Sequence, residues 1–104
     1  LAGCASMSMF DGGHGAASAY AQLPEIFRAP IEYSVFPRTP LPIDQLDQSR
    51  AAEMPALIKA YLRSGAWIGG APAWDPEFNT ADFFIFLPMS RLTLRYAKHC
   101  SVAN

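Results

Sequence analysis

Three carboxylates, Asp75, Glu77 and Asp82, lie close together just before an apolar run near the end of the chain. Carboxylates in such a place commonly accept hydrogen bonds from loop amides, which is a structural role. The alternative is that one of them holds the ammonium group of a substrate, and sequence proximity does not choose between the two.

Two groups of basic side chains are candidates for a functional role. Lys59 and Arg63 are four residues apart and share one face of a predicted helix. Arg91, Arg95 and Lys98 follow the last acidic residue and give the chain a basic C-terminal end. The C-terminal group is either an ordinary solvated helix face or a docking spot for an acidic partner. For Lys59 and Arg63 the ordinary interpretation is a solvated pair on the helix surface.

Two β-type patterns and one helical pattern precede the first proline-rich loop. Residues 1–10 are small, apolar and partly alternating, which predicts a strand packed closely against a neighbour. Residues 14–23 are rich in alanine and stop at Pro24, which predicts a helix. Residues 31–36 alternate apolar with polar side chains, which predicts a half-buried strand.

Two helices are predicted in the middle of the chain. Residues 44–54 predict a short one, and a clearer one starts at Pro55 and stops at Gly65. The apolar side predicted for the second helix carries Leu57, Ile58, Tyr61 and Leu62.

The apolar run near the end of the chain predicts a central strand. Residues 83–87 do not alternate, so both faces of the strand are expected to be covered. A polar elbow at residues 75–80 precedes it, and a final helix is predicted after Ser90 or Thr93. The elements together indicate an α/β (α+β) fold in which the carboxylates precede the central strand.

Composition narrows the function classes. The 104 residues fit a single domain, residues 1–104, and 51% hydrophobic against 16% charged residues argues against disorder. A net charge of −1 offers no general attraction to nucleic acid.

Cys4 and Cys100 lack the spacing of a metal or redox pair, so we expect no metal and a reducing, cytoplasmic compartment. No apolar run is long enough to cross a bilayer, although peripheral contact with the inner face of a bacterial membrane stays open.

One set of residues resembles a known family. In order along the chain it comprises Pro55, Lys59, Tyr61, Leu62, Arg63, Gly65, Ala66, Asp75, Phe78, Thr80 and Asp82. This set is similar to a signature of the ornithine–acyl carrier protein N-acyltransferases, a family whose members also carry the name hemolysin. Residues 1–6 resemble the family's GCAS strand, and residues 95–99 resemble its terminal RYxxH helix.

The resemblance implies the C-terminal half of a GNAT-like acyltransferase related to the autoinducer synthases. Its fold would be a three-layer mixed sheet flanked by helices. Acyl carrier protein would donate a fatty acyl group through its phosphopantetheine arm, without a covalently bound cofactor, to ornithine or a similar amine in lipid biosynthesis. Lys59, Arg63, Arg91, Arg95 and Lys98 would contact the donor, and Asp75 and Asp82 the acceptor.

The N-terminal half of that family has no counterpart in this chain. We therefore expect the catalytic residues to lie there, the chain alone to be inactive, and the sheet to be completed by that half or by a second copy. One alternative is a non-enzymatic binding or dimerisation module. Another is a lipoprotein domain anchored through Cys4, which requires a preceding signal peptide.

Overall fold

A computed structural model describes residues 2–88. In chain order, its strands and helices are β1 (Ala2–Ser8), α1 (His14–Ala21), α2 (Ala56–Arg63), β2 (Trp67–Ile68), β3 (Ala73–Asp75) and β4 (Thr80–Phe86). Short 3₁₀ turns lie at Glu25–Phe27, Ile31–Tyr33 and Ile43–Gln45. The predicted final helix, with Arg91, Arg95 and Lys98, lies outside the described residues. No helix within residues 2–88 is long and apolar enough to span a bilayer.

Strand β4 is the centre of the sheet. It pairs antiparallel with β1 along its whole length, and its other edge pairs antiparallel with β2 and β3. An isolated parallel bridge joins Arg28 to Ile68. The α/β class and the central position of the apolar strand are therefore confirmed.

The inner face of the sheet packs against both helices. Ala5, Phe83 and Ile85 meet Ile58 and Leu62 of α2 in one buried cluster. In a neighbouring cluster Ala16, Ala17 and Ala81 are fully buried beside Met9 and Leu41. Helix α1 therefore meets the sheet through alanine side chains, which are small.

Helix α2 has a narrower buried stripe than the sequence predicts. Ile58 and Leu62 are buried, whereas Leu57 and Tyr61 are 59% and 41% exposed. Residues four apart lie one above the other on a helix, so a two-turn helix needs only that pair to face the sheet. Gly65 has φ of 100°, which confirms it as the left-handed stop.

The predicted strand at residues 31–36 is wrong. This part of the chain forms the 3₁₀ turn Ile31–Tyr33 followed by irregular backbone, and residues 31–37 are called the covering segment below. Pro30 sits at the start of the turn and accepts a hydrogen bond from the Tyr33 amide at 2.9 Å. Pro30 before the segment and Pro37 at its end lack the amide donors that a ladder would need.

The covering segment lies against the outer face of the sheet, the one that faces away from the helices. The Val35 amide donates to the Gly69 carbonyl at 2.6 Å. The Tyr33 ring stacks on Phe86, with 5.3 Å between ring centroids, and lies 5.9 Å from Trp67. Aromatic contacts and one backbone bond thus hold the segment in place of a strand ladder.

The predicted helix at residues 44–54 is also wrong, since only the 3₁₀ turn Ile43–Gln45 forms there. The Asp47 carboxylate accepts hydrogen bonds from the Ser49 amide and hydroxyl at 2.9 and 2.8 Å. Such local side-chain bonds compete with the helical backbone pattern.

Helix α1 holds this loop through its polar side chains. The buried Ser18 hydroxyl donates to the Asp47 carbonyl at 2.9 Å and accepts from the Arg50 amide at 3.1 Å. His14 Nδ1 accepts from the Asp47 amide at 3.0 Å, and Gln22 Nε2 donates to the Arg50 carbonyl at 2.9 Å. Backbone groups that lack a secondary-structure partner are satisfied in this way.

Candidate substrate-binding face of the sheet

The outer face of the sheet carries most of its polar side chains. In the β1–β4 register Ser6 lies opposite Asp82 and Ser8 lies opposite Thr80. Cys4 lies opposite Phe84 on the same face. Side chains of directly opposed residues are neighbours, so this register brings two serines beside a threonine and a carboxylate.

Asp82 is held by two hydroxyl groups. Its Oδ1 accepts a hydrogen bond from Ser6 Oγ at 2.6 Å and another from Thr80 Oγ1 at 2.8 Å. Hydroxyl bonds to a carboxylate are short and stronger than those between neutral groups. Within residues 2–88, both bonds end on Oδ1, which leaves the acceptor capacity of Oδ2 for a ligand.

A cavity of about 190 Å³ lies beside Asp82. Its walls come from the outer face of the sheet, the covering segment and the chain between β2 and β3; the lining residues are Cys4, Val35, Pro37, Gly70, Ala71, Ala73, Asp82 and Phe84. Among these residues Asp82 alone carries a charge. The cavity is therefore an apolar space with one anionic group in its wall.

Two glycines let the covering segment approach the sheet. Gly70 has φ of +146°, and a Cβ there would lie 2.7 Å from the Val35 carbonyl oxygen. A Cβ on Gly69 would lie 2.9 Å from the Phe84 ring. Neither position accepts a side chain without displacing its neighbour, so the shape of the cavity depends on this pair.

Asp75 has a structural role in the turn between β3 and β4. Its Oδ1 accepts hydrogen bonds from the amides of Glu77 and Phe78 at 3.1 and 3.2 Å. Asn79 completes the turn with φ of 54°. Asp75 is opposite Thr80 in the register, so it shares the outer face with Asp82. The structure thus places both predicted acceptor residues on one face, and substrate binding by Asp75 stays a prediction.

The predicted donor-side residues lie elsewhere. Lys59 and Arg63 are on α2, which packs against the inner face of the sheet. The Lys59 ammonium is 3.3 Å from the Glu53 carboxylate, and Arg63 is exposed. The described structure therefore does not bring this basic pair together with Asp75 and Asp82.

Sequence reasoning missed the two hydroxyl partners of Asp82. Thr80 could have been found, because residues two apart on a strand share a face. Ser6 is 76 positions away from Asp82, and only the strand register reveals it.

Three proteins named L-ornithine N(alpha)-acyltransferase are similar in sequence to parts of this chain. The Brucella abortus protein is 48% identical over 46 residues, which make up 44% of this chain and 16% of that protein. The proteins of Agrobacterium fabrum and Rhizobium meliloti are 38% and 35% identical over 60 residues, in each case 57% of this chain and 20% of the relative. No family model and no solved structure matches the chain.

These similarities confirm the resemblance noted in the sequence. Over the matched segments the chain is similar in sequence to the proteins of that name. Those segments span a fifth or less of each relative's own length.

Proposed function

We propose that this chain forms part of an N-acyltransferase that moves a fatty acyl group from acyl carrier protein to ornithine or a similar amine, in cytoplasmic lipid biosynthesis. The observation that carries the proposal is the similarity to three proteins named for that acceptor. The cavity beside Asp82 supports it, because a lone carboxylate in an apolar wall complements a cationic amine.

The proposed reaction joins an amine to a thioester. The neutral amine nitrogen attacks the carbonyl carbon, the C–N bond forms, and the C–S bond breaks to release the thiol of the phosphopantetheine arm. Starting from an ammonium ion, the products are an amide, a free thiol and one proton. The enzyme must position the two substrates, remove that proton and stabilise the oxyanion that develops on the carbonyl oxygen.

The edge of β1 is the surface on which we propose that the sheet continues. Within the described residues β1 pairs only with β4, so its other edge presents unpaired amide and carbonyl groups. Strands from an N-terminal half, or from a second copy, would complete the sheet there. The matched relatives are several times longer than the matched segments, which supports the first source.

We propose that basic residues of this chain bind the acyl donor. Arg63 is exposed on α2 and Lys59 lies one turn before it. Their positive charge suits an acidic carrier protein or the phosphate of its prosthetic arm. We assign Arg91, Arg95 and Lys98 to the same partner on charge alone.

The test of the proposed function uses the complete gene product with acyl carrier protein loaded with a long-chain fatty acid. We expect N-acylornithine, identified by mass spectrometry, and an equal amount of free carrier thiol. Absence of amide product with ornithine and related amines would refute the proposal. A stable oligomer without turnover would instead favour the binding or dimerisation module.

Charge reversal tests the donor assignment separately. The double variant K59E/R63E should raise the KM for the acyl carrier protein and leave the KM for ornithine unchanged. Arg38→Glu is the matched control, since Arg38 is also exposed but lies in the loop between the covering segment and α2. An unchanged donor KM in the double variant would remove Lys59 and Arg63 from the donor site.

A further inference from the structure

The strongest feature without an assigned role is the pair of hydroxyl groups, from Ser6 and Thr80, that donate hydrogen bonds to the Asp82 carboxylate. We propose that Ser6 and Thr80 are positioning residues that orient Asp82 toward the non-reacting ammonium of a diamino-acid acceptor, bound in the cavity beneath the covering segment. The inference rests on the proposed function and adds the residues that would select its acceptor.

The two hydroxyls fix the carboxylate from different directions. Ser6 reaches it from the opposed position on β1, and Thr80 reaches it along β4 from two residues before. Both donate to Oδ1, so rotation of the carboxylate would break two short hydrogen bonds at once. A cation that approaches Oδ2 meets an acceptor already held in place, which lowers the entropy lost on binding.

The charge on Asp82 decides which amine it binds. A carboxylate next to an amine favours the protonated form of the amine, the ammonium ion. The amine that attacks a thioester must be neutral, so a carboxylate pairing suits the ammonium that does not react. Asp82 is therefore assigned to the distal ammonium of an acceptor that carries two amines.

The cavity walls match the rest of such a ligand. Val35, Ala73 and Phe84 are apolar and suit a short methylene chain. A space of about 190 Å³ is well above the roughly 10–15 Å³ in which one water fits. A side chain of a few methylenes with a terminal ammonium fits those limits.

The first experiment measures binding to the unaltered complete gene product by titration calorimetry. It compares ornithine with norvaline, which has the same carbon chain and lacks the distal amine. We expect ornithine to bind roughly 10- to 100-fold more tightly, the range for a hydrogen bond to a charged group. Equal affinity for the two amino acids overturns the inference whether or not the protein turns over acyl donor.

The second experiment uses variants. Asp82→Asn should abolish the preference for ornithine, and the double variant S6A/T80A should reduce it while leaving the KM for the acyl donor unchanged. Ser8→Ala is the matched control, because Ser8 shares the outer face and its hydroxyl accepts only the Phe10 amide within the described residues. A preference for ornithine that survives in S6A/T80A shows that the hydroxyls do not position Asp82.

The two proposals fail in different ways. No N-acylornithine from the unaltered protein, together with selective ornithine binding, would refute the acyl transfer and retain the cavity as a diamino-acid site. Acyl transfer with no selectivity against norvaline would retain the enzyme and remove this role of Asp82, Ser6 and Thr80.

Discussion

The two faces of β4 differ in what covers them. On the inner face Ala81 and Phe83 are fully buried and Ile85 is 5% exposed, under two helices. On the outer face Thr80, Asp82 and Phe84 are only half-buried, beside a cavity. Because successive residues of a strand point to opposite faces, one short strand supplies both the core and the candidate site.

The difference arises from the kind of cover. Regular helices place small and branched apolar side chains against the inner face. The covering segment is irregular and rests on aromatic stacking and one backbone hydrogen bond. The covering segment leaves the cavity beside Asp82 on the outer face, so we expect substitutions there to alter binding without unfolding the protein.

The largest expected effect is on the inner face. Phe83→Ala should lower the free energy of unfolding by about 3–5 kcal/mol, because it leaves a cavity in a fully buried cluster. Urea denaturation measures this change. The control is Phe78→Ala, a ring that is 73% exposed, which should cost far less. Similar costs for both rings would mean that the inner face is not the main source of stability.

The second-largest effect is expected at the contact between Gly70 and the covering segment. Gly70→Ala should lower the free energy of unfolding by about 1–3 kcal/mol, since alanine tolerates this backbone poorly and its Cβ would meet the Val35 carbonyl. Gly3→Ala is the control, because a Cβ there meets nothing within 4 Å and needs no unusual φ. If Gly70→Ala has no greater effect than Gly3→Ala, the segment does not depend on this close approach.

A smaller effect is expected at the polar residue buried on the helical side. Ser18→Ala should cost about 1 kcal/mol, because the Asp47 carbonyl and the Arg50 amide lose a partner that water can partly replace. Ser64→Ala removes an exposed hydroxyl bond to the Ala60 carbonyl and should cost less. Thermal unfolding of both variants checks the order.

The smallest expected effect is a pH dependence of stability, which arises from two carboxylates in the loops beside α1. Desolvation raises the pKa of Asp11. The amides of Gly13 and Gly15 and the charge of Arg50 outweigh it and hold that pKa below its usual 3.8. The Ser49 amide and hydroxyl, aided by Arg50, likewise lower the pKa of Asp47 below 3.8.

Carboxylates with a lowered pKa stabilise the folded state fully above their unfolded pKa and lose that contribution as the pH falls through the folded pKa. We therefore expect the thermal midpoint to start to fall as the pH drops toward 3.8 and to keep falling below it. Asp47→Asn should make the midpoint less sensitive to pH over that range, and Asp44→Asn, at an exposed position of the Ile43–Gln45 turn, is the control. An identical pH profile in Asp47→Asn would contradict the assignment.

The sequence pattern predicted the elements whose structure depends on neighbouring residues in the chain. Helix α2, with its glycine stop, and strand β4 follow from nearby residues. The alternation at residues 31–36 was misleading, because flanking prolines and a hydrogen bond to Gly69 decide that backbone. Residues 44–54 failed as a helix since Asp47 bonds to Ser49 and the loop is held by Ser18.

The candidate site was predictable only in part. Asp82 stood out through its place before an apolar strand and through the family resemblance. Its partner Ser6 and the cavity depend on register and on the covering segment, which involve residues far apart in the sequence. Long-range pairing of this kind leaves no local signal.

The ring contacts of Trp67 provide a built-in optical signal. Its indole lies 5.9 Å from Tyr33 of the covering segment and 6.1 Å from Phe86 of the sheet. Indole emission changes in colour and intensity with solvation, so lifting of the segment would be visible without a dye. Replacing the 40% exposed Trp74 with phenylalanine would remove most background light and allow ligand entry to be timed by stopped-flow mixing.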